Sequence, residues 1–299
     1  MHLMQLFIKL IKKHPRLTRL IKKTAKLVSP ETVIILEYSI NPKQRWNLQN
    51  PHEELYEIIN QNRDHYKATL QLFLEYLPNF AKIPVQFSSD SRLNEPYWIN
   101  GWMPALDGVA LYSFIAINKP GLYLEVGSGI STKFAHLAIS DQNLSTRIVS
   151  IDPYPRTEID ELCSEVIRQP LEDIDLEIFK LLERNDILYI DNSHTVFMNS
   201  DSTVFFLEVL PKLKSGVIVE VHDITLPYDY PLDYLGKYYA EQYLLAAYLL
   251  GKGDMFEIIL PNMFISYDDE LKNVLAPLWG EYDMKCVETH GCSFWLRKR

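Results

Sequence analysis

The sequence predicts an α/β protein whose mostly parallel sheet begins near Gly121, preceded by a helical N-terminal region. Three observations predict it. From Gly121 onward, short apolar runs alternate with helical periodicity, the pattern of strands joined by crossover helices. The first run, Leu122–Val126, leads directly into Gly127-Ser128-Gly129 and the start of a helix. Polar residues gather where later runs stop, namely Asp152, Asp191 with His194, and His222 with Asp223. Open α/β sheets place their ligands at such strand ends.

The chain opens with basic helical pieces broken at Pro15. Leu3, Phe7 and Leu10 share one face before the break, and Leu17, Leu20, Ile21 and Leu27 share one after it. Residues 1–30 hold eight lysines and arginines and no acid, so with a net charge of −9 the remaining residues carry −17 between them. A body this acidic repels phosphate and excludes a general nucleic-acid binder. For residues 1–28 two readings stand: a weak membrane-surface segment on anionic lipid, or a helix packed on its own protein with its lysines in solvent. No apolar run is long enough to span a membrane, and no small-residue cleavage site follows an uninterrupted apolar stretch. Three cysteines without metal or disulfide spacing suit a reducing compartment. A cytoplasmic location is therefore expected.

Residues 51–78 place Leu55, Ile59, Tyr66, Leu70, Phe73 and Leu77 at helical spacing, a core-facing stripe. A Pro- and Asn-bearing connection leads to Trp98–Asp107, and an apolar helix then ends at Lys119-Pro-Gly121. The expected domains are an N-terminal helical extension over 1–95 and the α/β domain over 96–299. Strands are expected at Leu122–Val126, Arg147–Ile151, Ser164–Arg168, Ile187–Ile190, Gly216–Val221, Phe256–Ile259 and Ser293–Leu296. Helices are expected at Thr132–Ile139, Ile174–Arg184 and Ser202–Leu210. Five strands joined by helices, then a C-terminal pair, predict a parallel sheet closed by an antiparallel hairpin.

Gly127 and Gly129 permit a tight turn and close backbone approach to a ligand, with free N–H groups at the following helix start. The third glycine of the dinucleotide fingerprint is replaced by Thr132, which counts against NAD or FAD. Asp152 ends the second strand, where a carboxylate accepts both hydroxyls of a ribose, with Pro153 and Tyr154 bordering the base. The fourth and fifth strands deliver Asp191, His194, His222 and Asp223 to one crevice from two distant segments. Two histidines, each beside an acid at a strand end, point to chemistry rather than packing.

The motifs Glu125-Val-Gly-Ser-Gly-x-Ser-Thr132, Ile151-Asp152, Tyr189-Ile-Asp191-x-x-His194 and Val221-His-Asp223 resemble those of class I S-adenosylmethionine (SAM)-dependent methyltransferases. They are most similar to the bacterial subgroup called methyltransferase family 24. His222–Pro231, Glu241–Ala247 and Cys292–Arg297 resemble that subgroup too, so the likeness covers about residues 98–299. It implies a Rossmann-like sheet of seven strands, the last antiparallel, with SAM across its carboxyl edge. Gly127, Ser128, Gly129 and Thr132 would pass beneath the methionine part, with Glu125 near its ammonium. Asp152 would hold the ribose, Pro153 and Gln169–Glu172 would lie by the adenine, and Asp191 would face the methionine end and the acceptor.

Methyl transfer is an in-line displacement in which the protein chiefly positions the reactants. The expected reaction is O-methylation of a small hydroxylated acceptor, a sugar or secondary metabolite. His194 is the expected general base, with Asp191 and His222 as its catalytic neighbours. Related sugar O-methyltransferases use a divalent cation, and Asp191, His222 and Asp223 occupy comparable positions, with donors suited to Mg²⁺ or Mn²⁺. The tyrosines between Tyr228 and Tyr243 make residues 224–253 either an acceptor lid or a packing helix. Two rival functions are an NAD-dependent oxidoreductase built on the same turn and a non-catalytic SAM-binding scaffold.

Overall fold

The computed structural model describes residue 24 and residues 40–88, 92–251, 255–280 and 284–299. The readings made for the basic segment 1–28 lie outside the described residues, Thr24 apart. The chain divides into two compact units, Met1–Pro42 and Lys43–Arg299, and the second carries the sheet. Among the described residues, no helix is long and apolar enough to cross a membrane.

Seven strands form one sheet: β1 Leu122–Val126, β2 Arg147–Ile151, β3 Glu165–Ile167, β4 Ile187–Ile190, β5 Ile218–Val221, β6 Phe256–Pro261 and β7 Phe294–Lys298. Their order is β3-β2-β1-β4-β5-β7-β6. β1 to β5 pair in parallel, whereas β7 runs antiparallel between β5 and β6. This is the Rossmann-like sheet with an antiparallel last strand that the sequence predicts. The strands read as apolar runs because helices cover both faces of a parallel sheet, and β1, β4 and β5 are buried at every position. The strand order reverses between β1 and β4, so a crevice opens beyond their carboxyl ends.

The helix Ala105–Asn118 is apolar around nearly its whole circumference and is buried from Ala105 to Ala116. It ends where Lys119 turns left-handed (φ 48°) ahead of Pro120, which cannot continue a helix. It packs on Ile130–Asp141 at Gly108, where an added Cβ would meet the Phe134 ring at 2.8 Å. The expected stripe over 51–78 is present on two helices, Glu53–Asn60 and Arg63–Phe73, rather than one. Leu55, Ile59, Tyr66, Leu70 and Phe73 are buried. Phe73 meets Phe114 edge-on at 5.5 Å, and the Asn62 side chain donates to the Ile258 carbonyl of β6 at 3.2 Å. These helices therefore share the core of the sheet.

Two expected helices differ. Ile174–Arg184 is a short 3₁₀ segment, Leu176–Leu181, started by Asp175 accepting from the Glu177 N–H and ended by extended backbone at Leu182. The helix from Asp201 widens into a π turn at Phe205–Val209 ahead of Pro211, whose ring cannot supply the next backbone donor.

Candidate active site at the carboxyl ends of the central strands

The turn after β1 is built around Gly127, at φ +81°, a conformation that favours glycine. A Cβ there would lie 1.8 Å from the Asp191 carbonyl oxygen, so β1 and β4 can leave the sheet side by side only with glycine at this position. Beneath the turn, the Glu125 carboxyl accepts from Tyr123 at 3.0 Å, from Ser131 at 3.2 Å and from Thr132. Thr132 Oγ1 in turn accepts from the Gly129 N–H at 3.1 Å. Burial raises the Glu125 carboxyl to about 7 despite these hydrogen bonds. Both residues, expected near the methionine part of SAM, are fully buried, and their hydrogen bonds tie down the turn.

Two adjoining hollows of about 240 and 170 Å³ run across the strand ends and share Ser128, Arg156 and Asp191. The first is lined by Gly127, Asp152, Pro153, Leu171, Glu172 and Asp191 among others. Asp152 Oδ2 accepts the Ser128 N–H and Oδ1 the Tyr154 N–H, both at 2.8 Å, which fixes the carboxylate at the β2 end. The second is lined by Gly129, Tyr97, Trp102, Lys133 and His222. Of the expected contacts, Gly127, Ser128, Gly129, Asp152, Pro153, Glu172 and Asp191 face this cleft.

At its inner end the acids and imidazoles converge. His194 and Asp223, four residues after β4 and two after β5, both hold left-handed backbone, φ 57° and 53°. Such conformations outside glycine are uncommon and cluster at functional sites. His194 Nε2 lies 3.3 Å from Asp191 Oδ1 and 3.5 Å from Asp223 Oδ2, and Nδ1 lies 2.9 Å from Glu241 Oε2. Burial alone would lower the imidazole, but the bonds to Asp191 and Glu241 outweigh it and raise His194 to about 10. Burial would likewise raise Asp191, yet the charge of His222 and the bond from His194 hold it down at about 2.

His194, the expected general base, lies at this inner end between three carboxylates and is 2% exposed. Asp223, two residues after β5, lines a third cavity.

His222 faces the second hollow and lies 3.9 Å from Asp191 and 3.8 Å from Asp223 through Nδ1. Its Nε2 points at Asp107 Oδ2, 3.5 Å away, and at Cys292 Sγ, 4.0 Å away. Asp107 comes from the apolar helix Ala105–Asn118 and is fully buried. Its carboxylate accepts from Asn262, from the Cys292 and Ser293 N–H groups, and from the Ser293 hydroxyl. Burial would raise it, but the His222 bond and these donors bring it down to about 2. Asp107, His222 and Cys292 lie close enough to share an ion, yet the Asp107 oxygens are already taken by donors and burial keeps the Cys292 thiol protonated.

The same test applies to the expected Mg²⁺ or Mn²⁺ ligands Asp191, His222 and Asp223. Their negative charge is answered by the His194 imidazole and, at 3.7 Å from Asp191, by Arg156. Burial would lower the His222 imidazole, but the neighbouring Cys292, Asp191 and Asp107 raise it well above its ordinary value. His194 and Arg156 thus occupy the positions around these carboxylates that a divalent cation would take.

The tyrosine segment between β5 and β6 is fastened down. Tyr239 packs on the His194 ring at 4.6 Å, Tyr243 donates to Asp229 at 3.0 Å, and Asp229 also accepts the Trp46 N–H at 3.0 Å. Glu241 opens the helix Glu241–Leu250 and accepts from Asn192 at 3.0 Å while holding His194. Sequence reasoning missed Asp107, Glu241 and Cys292 as parts of the site. For Asp107 a signal existed, since one acid in an otherwise apolar helix must find a buried partner. Glu241 resembled an ordinary acidic residue in the first turn of a helix.

Residues 124–224 match the family model described as a methyltransferase domain. A relative from Archaeoglobus fulgidus, described only as an uncharacterized protein, is 35% identical over 98 residues, 30% of this chain and 44% of its own length. The chain thus matches under half of that curated relative. Among solved structures, the SAH-bound methyltransferase PaMTH1 of Podospora anserina is 14% identical, with a TM-score of 0.39 over 88% of this chain and 99% of that one. An SAH-bound O-methyltransferase from Bacillus cereus is also 14% identical, with a TM-score of 0.37 over 77% and 90%. Likenesses this loose carry no substrate across.

Proposed function

From the premise that residues 124–224 form a methyltransferase domain of family 24, we propose that the protein transfers the methyl group of SAM to a hydroxyl of a small acceptor. The observation that carries this reading is that a cleft lined by Asp191 and His222 adjoins a cavity lined by Asp223. A cleft with a carboxylate at the β2 end and a glycine turn adjoins a separate cavity through Trp102 and Met103.

The cleft residues suit SAM. Asp152 is held with its carboxylate toward a ribose, Leu171 and Pro153 offer apolar contact to the base, and Glu172 borders it. Lys133 and Arg156 supply cations for the methionine carboxylate, and Asp191 supplies charge for its ammonium. When bound, SAM brings an electrophilic methyl group on a sulfonium. The protein's task is then to align the acceptor oxygen and receive its proton.

Asp223 performs the second part. Its carboxylate lines the third cavity, where an acceptor hydroxyl can donate to it. SAM would supply the methyl group and keep the C–S electron pair on its sulfur, and Asp223 would receive the proton given up by the acceptor hydroxyl. A carboxylate suffices because the proton moves only after the bond to carbon is well advanced. His194 fixes the Asp223 and Asp191 carboxylates, and Glu241 fixes His194.

Thermal shift in EDTA-containing buffer with S-adenosylhomocysteine, SAM and NAD side by side tests the cofactor. A ligand at a hundred times its Kd stabilises by about 2.7 kcal/mol. A shift with the first two and none with NAD is expected. A shift with NAD alone would replace this reading with the oxidoreductase, and SAM binding without turnover on any acceptor would replace it with the scaffold.

A further inference from the structure

The third cavity, about 530 Å³, adjoins the cleft through Trp102 and Met103 and has Asp223 and Cys292 in its lining. Its size falls within the range of about 300–1,000 Å³ for small-molecule sites. Trp98, Trp102 and Tyr234 give it aromatic walls, with Met103 and Met263 between them. Three carboxylates line it: Asp223 near the reacting position, with Asp233 and Glu288 on exposed stretches. Among the described residues no lysine or arginine lines it, and His290 is the sole basic side chain. The two cations nearby are engaged on ring faces. Arg156 lies 4.5 Å from the Trp102 ring centroid, and Lys237 Nζ 3.5 Å from that of Tyr234.

Resting on the methyltransferase reading, we propose that this cavity takes an acceptor bearing an ammonium group, an amino sugar or related amino polyol. Its hydroxyl meets Asp223 while its ammonium meets Asp233 and Glu288. Aromatic faces match the apolar faces of a sugar ring. Carboxylates accept from hydroxyls and ammonium alike, and an ammonium donor strengthens each such bond. An acceptor carrying phosphate or carboxylate would bring its charge against three carboxylates with no cation on the lining to meet it.

Binding to the full chain saturated with S-adenosylhomocysteine tests this by calorimetry, with the methyl glycosides of glucosamine, N-acetylglucosamine, glucose and glucuronic acid as probes. The glucosaminide should bind at least tenfold more tightly than the glucoside and the N-acetyl form, and the glucuronide should bind most weakly. Asp233→Asn combined with Glu288→Gln should erase that preference. Both side chains are exposed, so the variant should keep the wild-type shift with S-adenosylhomocysteine. Equal binding of all four probes, a glucuronide preference, an ammonium preference that survives the double substitution, or no binding of the glucosaminide would each overturn the proposal. If S-adenosylhomocysteine itself gives no shift, the methyltransferase reading is what has failed.

Discussion

Asp223 and Glu125 show how two carboxyls of one site are set to different tasks by their surroundings. Asp223 opens on the third cavity beside the His194 ring, whereas Glu125 is sealed under the glycine turn with three hydroxyls around it. Asp223→Asn keeps the shape but removes the proton acceptor. It should lower kcat by about 10²- to 10⁴-fold while leaving the affinity for S-adenosylhomocysteine unchanged; a fall in that affinity with kcat preserved would move Asp223 out of the transfer step. For Glu125 the sign follows from a folded pKa near 7, above the ordinary 4.5. Its protonated form is favoured by folding, so this contribution is whole below pH 4.5 and is lost as pH rises through 7. The wild type should lose on the order of 3 kcal/mol of stability across that window. Glu125→Gln should lose less, which denaturant melts at pH 5 and pH 8 would measure.

At the scale of elements, the strands and the glycine turn were legible because each carries a local signal: an apolar run buried on both faces, or a turn that only glycine fits. The helix Leu176–Leu181 was not legible as a single 3₁₀ turn, because its length is set by where Asp175 caps and where Leu182 must extend toward β4. The link from Glu241 to His194 spans 47 positions and joins a helix start to a strand end, a pairing that periodicity along the chain cannot reveal. The helices Glu53–Asn60 and Arg63–Phe73 make a separate point. Their stripe was legible, but what it packs on is seen only in the contacts of Phe73 with Phe114 and of Asn62 with β6. Phe73→Ala should cost about 3–5 kcal/mol and shift one cooperative transition of the whole α/β unit. A separate low-temperature transition with the sheet's own melting unchanged would show these helices to be an independent layer.

At the scale of the molecule, the sheet sorts two jobs to two regions. The β1, β2 and β4 ends line the cleft proposed for SAM, and the β5 end with Trp98–Pro104 and Cys292 lines the cavity proposed for the acceptor. The first half was readable in order along the chain. The second depends on Asp107 drawing the 292–293 backbone against His222, a contact between residues 185 positions apart. The interior place of β7, between β5 and β6, bears on how the molecule is made. On a ribosome, Gly127, Asp152 and Asp191 are all synthesised, with their strands able to pair, while Phe294–Lys298 does not yet exist. During that interval β6 has no neighbour to hold it in the sheet, and Asp107 lacks the Cys292 and Ser293 donors. The half proposed to hold SAM can thus assemble before the half with the third cavity, and β7 joins them.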